Sequence, residues 1–289
     1  MRLDSVHLLL TLRCDRECDH CFVWSSPNVI CTMSISMIRK VIDQAAELDS
    51  LRMIYFEGGE PFLFYPILVE GVKYARSKGF EVGIVTNGYW GTSGEDAELW
   101  LRELERLSIS DMSVSDDRIH RERDDDHRAR IAAQAASAAG MRTSVLETCE
   151  PKGMKKGDIF FRGRAAEELA RKYRTHLWSG LTECPEELRS PERVHIDPDG
   201  NVHVCQGIVI GNINRSSLVE ISASYMPSEH PILGPLMDGG PAQLARRYRI
   251  AHLKKYADAC DLCYHVRKKL RPRFKKILGP DVMYGVSEA

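Results

Sequence analysis

The sequence predicts an α/β protein in which a partial (β/α)6 barrel is followed by a small α+β module. Up to about residue 175, short apolar runs alternate with amphipathic segments, which is the pattern of parallel strands joined by helices. Six such units are too few to close an eight-unit barrel. After residue 175 this alternation stops, and residues 193–205 have the pattern of a β-hairpin that turns at Pro198-Asp199-Gly200.

The individual elements follow from periodicity and from the residues that end each segment. Apolar or alternating runs predict strands, and segments of helical period that stop at a glycine, as at Gly79 and Gly140, predict helices. The predicted strands are 6–12, 52–56, 81–86, 109–115 and 142–148, with 158–161 as the candidate for a sixth. The predicted helices are 34–48, 66–77, 95–107, 121–139 and, in the second module, 243–257.

Composition excludes several classes of protein. The chain has 289 residues, of which 43% are hydrophobic, enough for one large domain or for one large and one small domain. The formal net charge is −1, and no apolar run reaches the roughly 18 residues needed to span a bilayer. The N-terminus lacks the basic-then-apolar form of a signal peptide. We therefore expect a cytoplasmic protein without a membrane or nucleic-acid partner, whose nine cysteines serve metal or redox chemistry.

A polar motif follows each of the first four predicted strands. A cysteine loop follows the first strand, Gly58-Gly59 the second, Thr86-Asn87-Gly88 the third and Ser115-Asp116-Asp117 the fourth. In parallel α/β folds the site lies at the C-terminal ends of the strands, so we expect these motifs to meet at one edge of the sheet. Paired glycines let a ligand approach the backbone closely, and the neighbouring carboxylate of Glu60 can receive an ammonium group.

Cys14, Cys18 and Cys21 have the spacing C-x-x-x-C-x-x-C in a polar loop after the first predicted strand. Three thiolates can hold three irons of a four-iron cluster and leave the fourth iron free to bind a substrate or cofactor. The alternatives are zinc and buried thiols. Structural zinc sites usually pair C-x-x-C units, however, and bacterial ferredoxins use C-x-x-C-x-x-C. The first spacing and the polar loop therefore favour a cluster with an open iron.

Four further cysteines, Cys184, Cys205, Cys260 and Cys263, lie in the second module. Four cysteines match a closed four-iron cluster, which has no iron left for a substrate. A hairpin with a helical C-x-x-C also suits a zinc ribbon. Spacing alone does not choose between iron–sulfur and zinc.

The N-terminal motifs together resemble those of the radical S-adenosylmethionine (radical SAM) enzymes. Those enzymes place an aromatic residue or a histidine before the last cysteine, as His20 is placed here, and carry Gly-Gly-Glu and Thr-Asn-Gly motifs after the second and third strands. The resemblance implies a SAM-binding [4Fe-4S] cluster on Cys14, Cys18 and Cys21. It also implies that S-adenosyl-L-methionine (SAM) is bound by Gly58, Gly59, Glu60, Thr86, Asn87, Ser115 and Asp117. In an alternative register Ser113 takes the place of Ser115.

The C-terminal cysteines resemble the SPASM module of peptide-modifying radical SAM enzymes. The resemblance lies in the spacing from Cys184 through Gly200 to Cys205 and in the later C-x-x-C of Cys260 and Cys263. A full SPASM module continues with further cysteines and binds two auxiliary clusters. The resemblance is therefore to the shortened "twitch" form, with one auxiliary [4Fe-4S] cluster on these four cysteines.

The resemblance also divides the chain into regions. They are a radical SAM partial barrel at 1–175, a twitch-like module at 176–270 and a basic C-terminal tail at 271–289. Gly163-Arg164-Ala165 resembles a motif that precedes such modules, although the sequence alone suggests no chemistry for it.

By this resemblance the chain is an enzyme, a radical SAM oxidoreductase or maturase. It would cleave SAM reductively to a 5′-deoxyadenosyl radical and abstract hydrogen from a peptide or small-molecule substrate. The auxiliary cluster would help to oxidise or otherwise modify that substrate, as in maturation of ribosomal peptides or dehydrogenation of a small molecule. The electron would come from an external one-electron donor such as flavodoxin or ferredoxin. The alternatives are a peptide epimerase in which Cys149 donates a hydrogen atom, and a non-catalytic metal-binding or electron-transfer protein.

Overall fold

The structure is a computed structural model that describes residues 1–116, 126–148 and 159–286. Within these residues the strands are β1 (Ser5–Thr11), β2 (Met53–Gly58), β3 (Glu81–Thr86), β4 (Asp111–Ser115), β5 (Arg142–Leu146), β6 (His176–Leu177), β7 (Arg193–Ile196), β8 (Asn201–Cys205), β9 (Ile208–Asn212) and β10 (Lys255–Tyr256). The helices are α1 (Ile35–Ala45), α2 (Tyr65–Ser77), α3 (Gly94–Arg106), α4 (Arg128–Ala138), α5 (Arg164–Glu168), α6 (Leu218–Ala223), α7 (Leu233–Tyr248) and α8 (Ala259–Leu270).

The main sheet runs in the order β5-β4-β3-β2-β1-β7-β8-β9. Its first six strands in this order are parallel, and β8 and β9 are added as antiparallel strands. β6 and β10 form a separate two-stranded sheet. The predicted α/β fold, with a parallel sheet and a smaller C-terminal module, is confirmed.

The sixth parallel strand does not come from the predicted segment. Residues 159–161, the described part of the candidate strand at 158–161, contain no strand. Ile159 and Phe161 instead pack in a small apolar cluster away from the main core. β7 fills the sixth position by pairing with β1, from Ser5 opposite Arg193 to Leu8 opposite Ile196. The C-terminal module is therefore attached to the barrel by main-chain hydrogen bonds.

Two of the helices on the barrel, α1 and α3, begin at a serine cap. The Ser34 side chain accepts a hydrogen bond from the backbone N–H of Met37 at the start of α1, and Ser93 does the same for Asp96 at the start of α3. Such capping satisfies backbone donors that a helix terminus otherwise leaves unpaired. Each helix then packs its apolar face on the sheet, where β1 is the most completely buried strand.

In the C-terminal module, the helix predicted at 243–257 is present only in its first part. The predicted hairpin at 193–205 is present as β7 and β8. α7 ends at Tyr248, and Arg249, which follows it, adopts a left-handed backbone conformation. Residues 243–248 therefore belong to α7, whereas residues 249–257 are not helical and include β10. The next helix, α8, begins after Asp258, whose side chain accepts a hydrogen bond from the backbone N–H of Asp261.

Residues 271–286, the described part of the basic tail suggested by the sequence, are folded onto the module. Leu278, Met283 and Tyr284 belong to the main apolar core. Arg267, one of the basic side chains that precede this segment, is buried as well. None of the helices in the described part of the chain is long and apolar enough to cross a membrane.

Candidate active site

The cysteine loop between β1 and α1 is closed on itself by backbone hydrogen bonds. The N–H of Leu12 donates to the carbonyl of Cys31 at 2.9 Å, and the N–H of Cys14 donates to the carbonyl of Ser26 at 3.1 Å. Burial raises the pKa of the Cys14 thiol well above its usual range, and the charges of Glu60, Asp15 and Cys18 add to that rise. A thiolate at this position therefore needs a cationic partner, which the irons of a cluster provide.

The Gly163-Arg164-Ala165 motif holds this loop in place. The guanidinium of Arg164 donates to the carbonyl oxygens of Cys18 and Ser25, each at 2.8 Å, and its backbone N–H donates to the carbonyl of Cys21 at 2.9 Å. Gly163 has a φ of +55°, and a Cβ there would lie 2.5 Å from the carbonyl oxygen of Phe22. The motif that the sequence left unexplained is thus a clamp on the backbone of the cysteine loop.

The paired glycines are packed directly against the cysteine loop. A Cβ at Gly58 would lie 2.2 Å from the carbonyl oxygen of Thr11, and one at Gly59 would lie 2.0 Å from that of Arg13. The backbone N–H of Gly59 donates to the carbonyl oxygen of Thr11 at 2.7 Å, and the backbone N–H of Glu60 donates to the carbonyl oxygen of Arg13 at 2.9 Å. These contacts explain why both positions are glycine: a side chain at either one would overlap the backbone of the cysteine loop. The sequence alone did not reveal this.

The Glu60 carboxylate joins the ends of β2 and β3. It accepts hydrogen bonds from the N–H of Phe62 at 3.0 Å, from the Thr86 hydroxyl at 2.8 Å and from the N–H of Asn87 at 2.7 Å. Burial raises the pKa of Glu60 to about 7, although these three donors oppose the rise. A carboxylate has about four acceptor positions, so one remains for a further donor such as an ammonium group.

Asn87 connects this junction to the first cysteine. Its side-chain amide donates to Oδ1 of Asp15 at 2.7 Å and lies 3.7 Å from Sγ of Cys14. The structure therefore brings together Cys14, the paired glycines, Glu60, Thr86 and Asn87, as their common position at strand ends predicts.

The remaining predicted residues of this group are placed only in part. Ser115 is the last residue of β4 and is half-buried at the same edge of the sheet. Ser113, the alternative, bonds to Ser144 of β5 through their hydroxyls at 2.8 Å. Asp117 and Cys149 lie outside the described residues.

The four C-terminal cysteines line one pocket. Cys184 precedes the hairpin, Cys205 ends β8, and Cys260 and Cys263 lie in the first turn of α8. Because residues three apart in a helix share a face, the last two point to the same pocket. Burial raises the pKa of Cys184 to about 12, and the neighbouring Cys263 and Cys205 add to the rise.

Cys184 is positioned by a kink in α7. The backbone at Gly239 and Gly240 is not helical, and Gly240 has a φ of +61°. A Cβ at Gly240 would lie 2.4 Å from the carbonyl carbon of Thr182, and the N–H of Ala242 donates to the carbonyl of Leu181 at 3.1 Å. The kinked helix therefore holds the segment that leads into Cys184.

Arg162, which is partly buried, and Arg267, which is buried, border the same pocket. Arg162 is paired with Glu186 at 2.5 Å, and Arg267 donates to the carbonyl of Gln206 at 2.5 Å and to the Tyr284 hydroxyl at 3.1 Å. Their Nε atoms are buried and have no hydrogen-bond partner within the described ranges. Four thiolates with two adjacent guanidinium groups fit an anionic metal centre, because the arginines offset its charge in a site that excludes water.

A second cavity, of about 320 Å³, lies between the two sets of cysteines. His20 and Phe22 of the cysteine loop line it on one side, and Cys205 and Arg162, which also line the C-terminal pocket, lie on the other. A molecule in this cavity would contact walls that belong to both cysteine sites.

The floor of the cavity contains a cluster that the sequence analysis missed. It consists of His7 on β1, Glu57 on β2 and His195 on β7. His7 lies in an apolar run, Glu57 directly precedes the glycine pair, and His195 lies in the hairpin. Only the strand pairing shows that His7 and His195 are direct neighbours.

Comparison with known families identifies both halves of the chain. The model of the radical SAM superfamily matches residues 8–149. The SPASM model, an iron–sulfur cluster-binding domain, matches residues 184–264 and so includes all four C-terminal cysteines. The second match indicates an iron–sulfur cluster, not zinc, in this module.

Three curated relatives match parts of the chain. YydG of Bacillus subtilis (strain 168), named for peptide biosynthesis, is 29% identical over 40% of this chain and 36% of its own length. The tungsten-containing aldehyde ferredoxin oxidoreductase cofactor-modifying protein of Pyrococcus furiosus is 32% identical over 36% of this chain and 28% of its own. The antilisterial bacteriocin subtilosin biosynthesis protein AlbA of Bacillus subtilis (strain 168) is 34% identical over 27% of this chain and 17% of its own. Each match thus spans little more than a third of the relative, or less.

Among solved structures, a crystal structure of BtrN in complex with AdoMet and 2-DOIA is similar in fold. It is 19% identical, with a TM-score of 0.51, over 76% of this chain and 82% of that one.

Proposed function

The chain belongs to the radical SAM superfamily, and we propose that it matures a peptide by oxidising one of its residues. Membership makes it a radical SAM enzyme whose cofactors are [4Fe-4S] clusters and SAM. The proposal adds the substrate class, the net reaction and the residues that hold each cofactor.

We assign the SAM-binding cluster to Cys14, Cys18 and Cys21 and the auxiliary cluster to Cys184, Cys205, Cys260 and Cys263. For SAM we assign the strand-end residues Gly58, Gly59, Glu60, Thr86, Asn87 and Ser115, together with Asp117. The free acceptor position on Glu60 supports an ammonium contact, since the other positions are occupied by Phe62, Thr86 and Asn87.

When bound, SAM and the N-terminal cluster would supply a radical able to take a hydrogen atom from the substrate, and the auxiliary cluster would supply an acceptor for the electron that remains once the substrate has lost a proton. The protein's own residues contribute by orienting the bound groups and by excluding water. Arg164 and the glycine pair fix the cysteine loop, and Phe22, Val23 and Phe160 give the cavity an apolar wall.

The observation that carries the proposal is that one cavity lies between residues of the N-terminal cysteine loop and the C-terminal cysteine pocket. Cys205 lines the C-terminal pocket and the central cavity, and His20 lies beside the third cysteine of the N-terminal loop. A substrate in this cavity would be within reach of both cofactors. The second electron of an oxidation therefore has a nearby acceptor.

The peptide class is supported by the relatives and by the size of the cavity. Two of the three matched relatives are named for peptide or bacteriocin biosynthesis. A cavity of about 320 Å³ is at the small end of ligand sites, and it suits one residue of a peptide whose remainder lies outside.

The experiment is an anaerobic reaction of cluster-loaded protein with SAM and a one-electron donor, either reduced flavodoxin or dithionite. Loading both sites should give about eight irons per chain, and reduction should release 5′-deoxyadenosine. Candidate peptides carrying deuterium at carbon should transfer it to 5′-deoxyadenosine and emerge lighter by the two hydrogens that oxidation removes.

Absence of 5′-deoxyadenosine from a fully loaded sample would refute the enzyme assignment. For an unlabelled peptide in D2O, a product that has not lost two hydrogens and is heavier by one solvent deuterium would show epimerisation instead of oxidation. In that case Cys149→Ala should abolish the product while leaving 5′-deoxyadenosine formation intact, since Cys149 is the predicted hydrogen donor.

A further inference from the structure

His7, Glu57 and His195 lie together because three strands place them in neighbouring positions on one face of the sheet. His7 is directly opposite His195 on β7 and opposite Tyr55 on β2, two residues before Glu57. Side chains two residues apart on a strand share a face, so Glu57 joins the two histidines. All three are partly buried and line the central cavity.

The three side chains converge without forming ordinary hydrogen bonds. Nε2 of His195 lies 3.0 Å from Oε1 of Glu57, and Nδ1 of His7 lies 3.4 Å from Oε2. Nevertheless, Nδ1 of His7 and Oε1 of Glu57 are buried atoms without a hydrogen-bond partner among the described residues. Because unpaired buried polar atoms are costly, such a set needs a further group at its centre.

The spacing suits a metal ion. One ligand atom from each residue can be chosen so that all three lie within 4.8 Å of one another. Ligands in a tetrahedral site with bonds of about 2.0–2.1 Å lie about 3.3 Å apart. The two measured separations, 3.0 Å and 3.4 Å, are close to that value.

The electrostatics of the cluster also favour a cation. The Glu57 carboxylate faces a nitrogen atom of each of the two imidazole rings, and a cation at the centre would bind all three donors at once. Arg162 and Arg193, the two arginines of the cavity wall, are paired with Glu186. Neither of them therefore serves as the cationic partner of Glu57.

The surroundings hold the ligands in place and leave one side open. The ring of His7 stacks on Tyr55 at 4.5 Å between centroids, and the Tyr55 hydroxyl donates to Asp111 at 2.8 Å. This stacking fixes the plane of His7. All three side chains line the cavity, so further coordination positions would face the space proposed for the substrate.

We propose that His7, Glu57 and His195 form a third metal site, which binds a divalent first-row transition ion with open positions toward the cavity. Two histidines and one carboxylate are a donor set used by catalytic zinc sites and by non-haem iron sites. The site is separate from both cysteine sets and does not depend on the reaction proposed above.

The test uses the full chain with both clusters loaded and zinc as the probe. After equilibrium dialysis against micromolar Zn²⁺, zinc and iron are measured in the same sample. We expect one zinc per chain with no loss of iron. Zinc K-edge absorption should show only nitrogen and oxygen ligands at about 2.0–2.1 Å.

The variants are His7→Gln, Glu57→Gln and His195→Gln, which keep side chains of similar size. Each should weaken zinc binding by about 100-fold or more, since each removes a direct ligand. His176→Ala, at an exposed histidine on β6, is the matched control and should bind zinc as the unmodified chain does. The iron content of each variant shows whether its fold and clusters are intact.

Three results would overturn the proposal. The first is no zinc beyond the background of the dialysis. The second is sulfur scattering at about 2.3 Å, which would mean that zinc had entered a cysteine site. The third is undiminished zinc binding in any of the three glutamine variants that retains its iron.

Discussion

A methyl group at position 59 would lie 2.0 Å from the carbonyl oxygen of Arg13, in the loop that carries the first cysteines. That oxygen also accepts the backbone N–H of Glu60, so the loop cannot move away without losing a hydrogen bond. The glycine therefore sets the distance between the cysteine loop and the strand end where SAM is proposed to bind.

We expect Gly59→Ala to lose the N-terminal cluster and to destabilise the protein by about 3 kcal/mol, at the upper end of the cost of overpacking. Gly94→Ala is the control, because a Cβ at Gly94, in the first turn of α3, has no other atom within 4 Å. Iron content and the thermal unfolding midpoint measure both effects. A Gly59→Ala protein with full iron content and an unchanged midpoint would contradict this account of the loop.

The charge of Arg267 affects the pKa of a C-terminal cysteine, Cys263. Burial raises the pKa of Cys263, and the charge of Arg267 opposes that rise. Iron binds the thiolate, so loading must release protons and should become faster as pH increases.

Arg267→Gln should therefore shift the midpoint of cluster loading to higher pH by about one unit, which corresponds to about 1.4 kcal/mol. Arg267→Lys keeps the charge and should shift the midpoint much less. The measurement is iron incorporation at the auxiliary site between pH 6 and pH 9. Equal midpoints for the glutamine and lysine variants would show that the charge is not responsible.

The short helix α5 begins at the Gly163-Arg164-Ala165 motif. The role of this motif is evident only from its contacts with the cysteine loop. The first residue of α5, Arg164, reaches back along the chain to three backbone carbonyls of the cysteine loop. It also lies over the ring of Trp24, 5.1 Å from the centroid. The start of α5 is thus part of the N-terminal site, although it lies close to the second module in sequence.

Arg164→Ala should reduce iron to about four per chain, because only the auxiliary cluster remains, and should abolish 5′-deoxyadenosine formation. Arg171→Ala, at an exposed residue shortly after the same helix, should have no effect on either quantity. If Arg164→Ala keeps about eight irons and normal SAM cleavage, the clamp is not needed to hold the cluster.

The kinked helix α7 has the corresponding role for the second site. Gly240 allows the helix to turn where it meets the backbone of Thr182 and Glu183, next to Cys184. An added methyl group would force these two backbones apart.

Gly240→Ala should therefore lower the iron content of the auxiliary site while 5′-deoxyadenosine formation persists. Gly180→Ala lies in the same stretch of chain, but its Cβ would have no other atom within 4 Å, so it should retain full iron content. Selective loss at Gly240 is checked by iron analysis and by the EPR signals of the reduced clusters. Equal loss in both variants would point to general misfolding of this segment.

At the scale of the whole molecule, the pairing of β7 with β1 joins two cofactor modules around one cavity. β1 leads into the N-terminal cysteine loop, and β7 leads through the hairpin to Cys205. This single sheet contact fixes the two cysteine sets relative to each other. It also brings His7 and His195 together on the floor of the cavity.

The N-terminal and C-terminal cysteine sites are proposed to have different functions, and a pair of cysteine variants should separate them. Cys18→Ala should retain about four irons per chain and release no 5′-deoxyadenosine. Cys260→Ala should also retain about four irons and should still release 5′-deoxyadenosine, but without forming the oxidised product. Oxidised product from the Cys260→Ala protein would show that the auxiliary cluster is not the electron acceptor.

Sequence reasoning succeeded where the signal is local. The spacing of Cys14, Cys18 and Cys21, the glycines before Glu60 and the hairpin turn at Pro198-Asp199-Gly200 are each encoded within a few residues. Because successive parallel strands end at the same edge of a sheet, the meeting of Glu60 with Thr86 and Asn87 could also be expected.

It failed where the partner is distant along the chain. Ile159 and Phe161 are apolar enough to suggest a strand, but they pack against helices, and β7 takes the position beside β1. The packing of residues 271–286 was not predicted for the same reason. The basic composition of this segment suggests a tail in solvent, whereas Leu278, Met283 and Tyr284 belong to the main core.

The sequence by itself determined the class of chemistry, because metal-binding spacings and strand-end motifs are short-range properties of the chain. Only the tertiary structure decided which motifs face one another. It showed that Arg164 clamps the cysteine loop, that Cys205 borders the central cavity and that His7, Glu57 and His195 share its floor. These relations depend on strand register and helix packing between segments far apart in sequence, and no local pattern specifies them.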